Sequence, residues 1–554
     1  MAVKPAIENF NFTGCFVKIW ISDSFERILP ESKPASNRKL KLVGLLGQVV
    51  SFQVGFRPVK NPAENDGPYK TTLSGGFAKY CSVRLAGLVP LKNHSTFSPS
   101  DLLEGYAPGF VPDPLLDDFN EERFEENRSR SYWVTVRLPN RSGKNNVKVT
   151  IDDGTKKYSV EAIIEILPVK LPKLNIPVTH WFYSDAIADW YEVEPFGDEY
   201  WRLLEKYFIN LVDHNQNSIY TPVFTPPLDG KKRIIQLVDV IELASSKYSF
   251  DWGKLRQWIK LAKSCGFKYF EMTHLFSQWG AKYAINILVS KQKGGKLMPL
   301  CKEQTSATSP LYRNFLQQFL PALIKFLKRE NIFNKCIFHL SDEPEMPHIE
   351  QYRKAREMVR QIAPEIKITE ALSSIEFHRQ GLVDNPVPNI GALSDFIKQD
   401  VRTWTYYCCS PRLKFPNRFL DFPLYRLRIL GFQMFRFELQ GFLHWGANYW
   451  YKHGTTELID PYLVNDGTYW PVWHAGDTFI IYPGKSGPID SIRWEIYREL
   501  FDDYRLLCLA SQIVGKERVM KLLSEIKMPD DYPQEADYIR RVRYGLIRLI
   551  TKYL

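Results

Sequence analysis

Two adjacent carboxylates, Asp342 and Glu343, are the residues of this sequence whose types and spacing best suit chemistry. They follow a short apolar run, 336–340, and precede Pro344, which predicts a buried strand that opens into a stiffened loop. Two carboxyl groups at one site do not ionise independently, so one of them can stay protonated and donate a proton at neutral pH. Paired carboxyls of this kind are typical of glycosidic bond cleavage.

A structural role for the same two residues stays open. Glu345 follows them, and a helix is predicted to begin near Ile349, so the acids could simply complement the positive end of that helix. The apolar strand that runs straight into the pair favours a site.

Further polar and aromatic residues stand at predicted strand ends or in loops and could bind a substrate. They are His274, His444, Trp445, Asn417, Arg418 and Asp421. His274 closes a predicted strand. His444 and Trp445 belong to a ring-rich segment at 441–450 that suits the binding of a sugar ring, and the other three residues follow a proline-bounded loop. Ordinary alternatives are a hydrogen-bonded structural histidine, a packed ring and a surface ion pair.

Composition and missing motifs exclude several other classes of protein. The 554 residues are 44% hydrophobic and 24% charged, as in a soluble globular protein of two or three domains. The net charge of +11 is spread without a run of five basic residues, so no nucleic acid partner is expected. Neither a signal peptide nor an apolar stretch of 18 residues is present, which predicts a cytoplasmic chain without a membrane partner. The oligomeric state is left open.

Metal and cofactor chemistry is not indicated. The eight cysteines have no CxxC spacing, and the chain contains no HExxH, GxSxG or GxxxxGK[ST] motif. We therefore expect no metal and no cofactor.

The rhythm of apolar residues changes near residue 170. Before it, short β runs such as 16–21, 49–54, 132–136 and 147–151 are separated by turn residues, and this predicts an antiparallel β-sandwich. The proline-rich segment 166–177 is the predicted linker.

After the linker, short apolar runs alternate with amphipathic helical stretches, which is typical of βα units. Eight strands are predicted, at 178–183, 218–224, 268–274, 336–340, 367–372, 402–407, 441–446 and 478–482. Helices are predicted at 198–213, 251–265, 310–329, 349–362, 424–439 and 491–513. Because polar and aromatic residues stand at several strand ends, and a barrel gathers chemistry at those ends, the pattern favours a barrel with a pocket.

The predicted fold class is a multidomain β plus α/β protein. Residues 1–170 form an antiparallel β-sandwich, 171–515 a (β/α)8 TIM-like barrel, and 516–554 a C-terminal helical extension.

Several motifs resemble, in their shared order, those of glycoside hydrolase family 123, a family of retaining β-N-acetylgalactosaminidases. These motifs are the strand end 341–344, Gln278-Trp279-Gly280-Ala281, the segment 404–409 ending in Cys408-Cys409, the segment 417–421, Gly441-Phe442-Leu443-His444-Trp445-Gly446, and 482–484 with 491–495. The resemblance covers most of the chain and implies a β-sandwich followed by a (β/α)8 barrel.

The resemblance also implies a substrate-assisted mechanism on a terminal β-linked N-acetylhexosamine. Asp342 then orients the 2-acetamido group of the substrate, and Glu343 acts as the acid and base. Tyr406 is the candidate that holds the acetamido oxygen, and Trp445 the candidate pocket wall. Two alternatives stay open: a related glycosidase for another hexosamine or a hexose, and a carbohydrate-binding protein without catalysis.

Overall fold

The computed structural model of the chain describes residues 17–59, 69–96, 103–119, 124–227, 234–244 and 246–553. The chain divides into two compact units. The first comprises Met1–Gly87 with Leu115–Lys170, and the second comprises Leu88–Pro114 with Leu171–Leu554. The domain boundaries given above stay predictions.

Before the linker, the described residues form nine strands. They are β1 (Val17–Asp23), β2 (Lys39–Leu45), β3 (Val49–Pro58), β4 (Lys70–Ser74), β5 (Cys81–Leu91), β6 (Gly109–Leu116), β7 (Arg130–Arg137), β8 (Gly143–Asp152) and β9 (Lys157–Leu167), with a short 3-10 helix at Ala78–Tyr80. In the first unit, one sheet has the strand order β1-β3-β7-β5 and the other the order β2-β9-β8-β4.

The core of the first unit is built from alternate residues of both sheets. On β8, Val147, Val149 and Ile151 are buried while the intervening Lys148 is exposed, which is the period-2 pattern of a strand with one solvated face. They join buried residues of β1 and β3 in one hydrophobic cluster.

One strand pair in this unit departs from the antiparallel prediction. β2 pairs with β9 in parallel, so the second sheet is mixed, whereas the other paired strands of this unit run antiparallel. The prediction assumed short turns between neighbours, but a long stretch of chain separates these two strands and allows either direction.

Short strands alternate with helices in the second unit. The strands are β10 (Val178–His180), β11 (Ser218–Thr221), β12 (Asp239–Ala244), β13 (Lys247–Asp251), β14 (Tyr269–Met272), β15 (Leu288–Ser290), β16 (Met298–Pro299), β17 (Cys336–Ile337), β18 (Thr369–Leu372), β19 (Asn385–Pro388), β20 (Thr405–Tyr406), β21 (Phe442–His444), β22 (Tyr482–Pro483) and β23 (Pro488–Ile489). The helices are α1 (Ser184–Trp190), α2 (Asp198–Asp213), α3 (Gly253–Cys265), α4 (Gln278–Ala281), α5 (Pro310–Arg329), α6 (Ile349–Ile362), α7 (Glu376–Arg379), α8 (Leu393–Lys398), α9 (Leu424–Arg436), α10 (Ile492–Val514), α11 (Lys516–Leu522) and α12 (Ala536–Thr551), with 3-10 helices at Phe333–Lys335 and Met346–His348.

Parallel pairing joins eight strands of this unit into the groups β11-β14-β17, β18-β19 and β10-β21-β20. A further parallel pair, β12 with β15, belongs to a separate sheet whose other pairs are antiparallel. Isolated parallel bridges link Phe338 with Ile368 and Asn389 with Tyr406. The architecture is therefore multidomain β plus α/β, as predicted, while the pairing of the described strands shows no closed barrel.

Seven of the eight predicted strands contain one of these parallel strands, and the eighth prediction is wrong. Instead of a parallel strand, the end of 478–482 contributes to β22, which pairs antiparallel with β23. Within these three groups, the strand that the prediction missed is β19, whose sequence contains Pro386 and Pro388. Proline cannot donate to a sheet ladder, so two prolines in four residues hide a strand from pattern reasoning.

The helices follow the predicted pattern closely. α5 begins after Ser309, whose Oγ accepts a hydrogen bond from the Tyr312 amide, and Pro310 fills its first turn. α3 ends at Gly266, which adopts φ 112° as helix-ending glycines often do. Within the described ranges, no helix has both the length and the apolar character needed to span a membrane.

Candidate active site

The catalytic candidates lie in the loop that follows β17. The amide of Glu343 donates to the carbonyl of Ala371 on β18 at 3.1 Å. Ser341 is fully buried, Asp342 is 6% exposed, and Glu343 is half-buried. The apolar run therefore ends where predicted, with both carboxylates at the end of a buried segment.

Glu343 has a left-handed backbone, with φ 43°. This conformation is unfavourable for a residue with a β-carbon, and residues held in it concentrate at functional sites. The Asp342 carboxylate accepts a hydrogen bond from Gln278, and that of Glu343 accepts one from Tyr406.

A cavity of about 560 Å³ opens beside Glu343. Its lining consists of Trp279, Glu343, Pro344, Glu345, Met346, Ser373, Ser374, Asn389, Gly391, Ala392, Tyr406 and Ser410. The volume is that of a small-molecule pocket, and its walls combine apolar surface with hydroxyl and amide groups that can bind a sugar.

Tyr406 is the predicted binding residue that this cavity contains. Its phenol donates to Oε1 of Glu343 at 2.5 Å. Burial, together with the neighbouring Glu343 charge, raises the pKa of Tyr406 well above its ordinary value. The phenol therefore stays protonated and remains a hydrogen-bond donor in the site.

A tight turn from Gln278 to Ala281 holds Asp342 in place. The Gln278 side-chain amide donates to Oδ2 of Asp342 at 3.1 Å, and the Trp279 backbone amide donates to the carbonyl of Asp342 at 2.8 Å. Oγ of Ser341 accepts the amides of Gly280 and Ala281 at 3.3 and 3.0 Å. The turn and the carboxylate loop thus form one hydrogen-bonded unit.

Trp279 projects from that turn to the cavity. Its φ and ψ are 55° and 53°, and its side chain is 60% exposed. An exposed indole at the mouth of a polar cavity offers a flat apolar face for a sugar ring.

A buried polar network lies behind the carboxylate loop. Oε1 of Glu271 accepts from Nε1 of Trp181 and pairs with Nε2 of His339, both at 2.7 Å. The imidazole of His274 stacks on that of His339, with centroids 4.5 Å apart. These groups are buried, so their arrangement is fixed by packing.

Glu370 connects this network to the carboxylate loop. Its Oε2 accepts the amides of Leu340 and Ser341 at 3.2 and 2.9 Å, as well as the Tyr352 phenol at 2.8 Å. Burial raises the pKa of Glu370 to about 7. For His339, burial opposes the charged form, but Glu271 and Glu370 outweigh it and raise the pKa.

Comparison with known proteins decides the family. The sequence model described as "Glycoside hydrolase 123, catalytic domain" matches residues 181–510, which is more than half of the chain. The chain belongs to glycoside hydrolase family 123. It is therefore a glycoside hydrolase, as predicted. No curated protein sequence matches it.

One solved structure supports the fold, and two others superpose with much lower TM-scores. A family 123 glycoside hydrolase from Clostridium perfringens, studied for glycolipid glycan hydrolysis, superposes with a TM-score of 0.77 at 14% identity, covering 97% of this chain and 99% of that one. The β-glucuronidase of Parabacteroides merdae gives 0.33 at 12% identity, covering 82% of this chain and 50% of that one. The endo-β-1,4-mannanase of Thermotoga petrophila gives 0.34 at 11% identity, covering 60% and 77%.

Three of the predicted binding residues in this family 123 chain support loops. The Asn417 side-chain amide donates to the carbonyls of Cys408 and Pro411, both at 2.9 Å. Nη2 of Arg418 donates to the carbonyls of Gly446 and Asp477. Burial lowers the pKa of Arg418 to about 10.

Asp421 is the third of these loop residues. It accepts the Ser95 amide at 2.7 Å, and its carboxylate lies 3.4 Å from Nδ1 of His94. The hydrogen bond to Asp421 raises the pKa of His94 above its ordinary value. Asp421 is buried and is not among the residues that line the cavity.

His274, His444 and Trp445 are likewise buried and do not line the cavity. His274 pairs with the Tyr220 phenol at 3.0 Å. His444 accepts the Gly446 amide at Nδ1, and burial lowers its pKa well below the usual value. Nε1 of Trp445 donates to Asp477 at 3.2 Å, and its ring packs on Trp473.

Sequence reasoning did not assign several residues that line this family 123 cavity. Ser373 and Ser374 directly follow β18, which was predicted, so their position at a strand end could have identified them. Asn389 directly follows β19, and because that strand was not predicted, this residue could not be identified in the same way. Trp279 belongs to one of the motifs on which the family resemblance depends, but the exposure of its side chain depends on tertiary structure and could not be predicted from the sequence.

In the part of the chain that the structure describes, two side-chain groups place potential metal ligands close together: His274 with His339 and Glu370, and His214 with Asp490 and Glu495. In the first, Nε2 of His339 already pairs with Glu271, and Oε2 of Glu370 already accepts three hydrogen bonds. In the second, Arg498 already pairs with Glu495 and supplies a positive charge. We assign a metal to neither group.

Proposed function

We propose that this chain is an exo-acting, retaining β-N-acetylgalactosaminidase that uses the 2-acetamido group of its substrate as the nucleophile. Membership of family 123 supports a glycosidase. The observation that carries the proposal is the arrangement of Asp342 and Glu343: they are consecutive carboxylates, each held by its own hydrogen-bond donor, and Glu343 lines the cavity while Asp342 is buried next to it in the chain. Two adjacent acids cannot flank a sugar from opposite sides, but they suit a reaction whose nucleophile belongs to the substrate.

In the first proposed step, the acetamido carbonyl oxygen attacks the anomeric carbon. The bond from that carbon to the leaving oxygen breaks, and Glu343 gives its proton to that oxygen. Asp342 accepts the N–H of the acetamido group, and so orients it and stabilises the positive charge that develops on the resulting five-membered ring.

In the second step, Glu343 takes a proton from water, and the water oxygen attacks the anomeric carbon. The bond to the acetamido oxygen breaks and restores the amide. Two inversions at one carbon give overall retention of configuration.

The remaining site residues either contact the substrate or support the loops around the site. We propose that Tyr406 turns its phenol from Glu343 to the acetamido oxygen when substrate binds, and that Trp279 stacks on the sugar. His274, Asn417, Arg418, Asp421, His444 and Trp445 are assigned support, because none of them lines the cavity and none is the chain neighbour of Glu343, as the similarly buried Asp342 is.

The proposal also includes the arrangement of strands and domains and the class of substrate. We infer that the eight parallel strands form a (β/α)8 barrel, since the isolated bridges connect their three groups in sequence order. We also infer that the first unit is a β-sandwich, with domains at 1–170, 171–515 and 516–554. A terminal β-linked N-acetylhexosamine on a glycan is the proposed substrate, in line with the glycolipid glycan hydrolysis of the Clostridium perfringens relative. A cytoplasmic location stays a prediction from the sequence.

The proposal is tested with a pair of aryl substrates, a β-N-acetylgalactosaminide and the matching β-galactoside. Release of the aryl group from the acetamido sugar alone is the expected result, because the plain galactoside lacks the nucleophile. Cleavage of the galactoside at a similar rate would contradict substrate assistance. Cleavage of neither, with binding of the free sugar retained, would indicate another sugar or a carbohydrate-binding protein.

A further inference from the structure

Two consecutive cysteines, Cys408 and Cys409, lie close to the cavity. They follow β20, and their Sγ atoms are 3.8 Å apart. Both side chains are partly exposed, so small reagents can reach them. The glycosidase mechanism gives this dithiol no task.

The dithiol is built into the cavity wall. Tyr406, two residues before Cys408, and Ser410, directly after Cys409, both line the cavity. The Cys408 amide donates to the Ser410 carbonyl at 3.0 Å, and the Asn389 side chain donates to the same carbonyl at 3.4 Å. The Asn417 amide holds the Cys408 carbonyl from the other side at 2.9 Å. A change in the backbone at Cys408 is therefore transmitted to residues that face the substrate.

We propose that Cys408 and Cys409 are a redox modification site, at which a small disulfide oxidant of the glutathione class closes a reversible vicinal disulfide and lowers turnover. The Cys409 thiolate attacks one sulfur of the oxidant, forms a mixed disulfide and releases one thiolate. The Cys408 thiol then loses its proton and attacks Sγ of Cys409, which releases the second thiolate. Two protein thiols are oxidised by two electrons, and one small disulfide is reduced to two thiols.

The order of attack follows from the surroundings of the two thiols. The hydrogen bond with Cys409 and burial raise the pKa of Cys408 well above its ordinary value, and the Glu343 charge acts in the same direction. Because the thiolate is the nucleophile, the first attack falls to Cys409 and the second to Cys408.

The proposed disulfide between Cys408 and Cys409 should be easily reduced. Adjacent Cα atoms are about 3.8 Å apart, which is closer than in ordinary disulfides, and constrained disulfides are the labile and regulatory ones. The same constraint perturbs the site, because the sulfur atoms must approach from 3.8 Å to a bonded distance of about 2 Å.

That movement acts on catalysis through Tyr406. The backbone between Cys408 and Cys409 has to twist, and Tyr406, two residues before, donates to the catalytic Glu343. Because a displacement of about 1 Å at a catalytic group can cost roughly 100-fold in rate, we expect turnover to fall by about 10- to 100-fold on oxidation.

The experiment equilibrates the full chain with oxidised glutathione, traps free thiols by alkylation, and maps the modified peptides by mass spectrometry. The expected product is a peptide that has lost two hydrogen atoms and carries no alkyl group at Cys408 or Cys409. A trivalent arylarsenical, which binds two neighbouring thiols, should bind the reduced chain in a one-to-one ratio and the oxidised chain not at all. Dithiothreitol should restore turnover.

Matched variants separate the pair from other thiols. Cys409→Ser removes the thiol that attacks first, so this variant should form neither the mixed disulfide nor the 408–409 bond, lose arylarsenical binding and resist inactivation. Cys508→Ser, on α10, should respond like the wild type. Cys409→Ala repeats the test if the serine variant does not fold.

Two results would overturn the proposal: no intramolecular 408–409 bond at any glutathione ratio, or a mapped bond that leaves turnover unchanged. Thiol mapping and arylarsenical binding need no glycosidase activity. A chain that forms the bond but cleaves no glycoside would therefore contradict the proposed function and leave the modification site standing.

Discussion

Glu343 and Asp342 occupy consecutive positions, yet different partners hold them. The left-handed backbone at Glu343 places that side chain on Tyr406, while Asp342 accepts from Gln278. The sequence predicts the acids, the strand before them and the loop that carries them. The left-handed turn could not be predicted, because it depends on the Ala371 carbonyl of a neighbouring strand.

Replacing Glu343 by glutamine tests its role as acid and base. We expect turnover to fall by about 100- to 10,000-fold, since a glutamine amide keeps the shape but cannot transfer the proton. The measurement is kcat on an aryl β-N-acetylgalactosaminide. Glu350→Gln, in the first turn of α6 with a largely exposed side chain, is the control and should turn over normally. Equal rates for the two variants would remove Glu343 from the mechanism.

At the scale of elements, the turn at 278–281 positions both Asp342 and Trp279. Three of its residues have positive φ, Trp279 at 55°, Gly280 at 103° and Ala281 at 57°. A sequence pattern does not reveal this, because the conformation is held by hydrogen bonds to Ser341 and Asp342, some 60 residues away.

Gly280→Ala should disturb this turn in two ways, through the positive φ at this position and through a steric clash of the new β-carbon. A β-carbon at Gly280 would lie 2.3 Å from Cβ of His348, so the turn or the 3-10 helix has to move. Gly381→Ala is the control, because Gly381 also has positive φ, 66°, but a β-carbon there meets nothing within 4 Å. We expect the first variant to lose turnover by about tenfold or more through the shift of Asp342, and the second to lose only stability. Kinetics and thermal melting on both variants check this.

Glu370, on strand β18, is expected to make the stability of the folded chain depend on pH. Its pKa is raised from 4.5 to about 7 by burial, so between these values the folded chain holds a proton that the unfolded chain has lost. Stability should therefore decrease as pH rises from about 4.5 to about 7. The raised pKa of His339 has the same sign, but its contribution is lost only above its ordinary value of 6.5.

The check is the melting temperature against pH for the wild type and for Glu370→Gln. The variant has no carboxyl to titrate, so its curve should fall less steeply across this window. Parallel curves would mean that Glu370 ionises in the folded chain as readily as in the unfolded one.

At the scale of the whole molecule, one buried ion pair joins distant parts of the second unit. Asp113 on β6 accepts from Arg493 on α10 at 2.7 Å and from the Tyr482 phenol at 2.8 Å. Arg493 also donates to the carbonyls of Gly476 and Phe479. Periodicity predicted the βα units and most helices, because those signals are local. It could not predict a contact between residues separated by 380 positions in the chain.

Asp113→Ala should leave the Arg493 charge buried and unpaired, at a cost of about 3–5 kcal/mol. Asp239→Ala breaks the partly exposed pair with Lys254 and should cost about 0–1 kcal/mol. Urea unfolding of both variants gives the comparison. Similar losses would show that the buried pair contributes no more than a surface pair.

The central claim is that the acetamido oxygen of the substrate is the nucleophile in place of a protein side chain. The most direct measurement is kcat/KM on a series of aryl β-galactosaminides whose N-acetyl group carries none, one, two or three fluorine atoms. Each fluorine withdraws electrons from the carbonyl oxygen and weakens it as a nucleophile, while the sugar and the leaving group stay the same. Substrate assistance predicts a steep, progressive fall in kcat/KM along the series. A flat series would contradict it and would require a nucleophile from the protein.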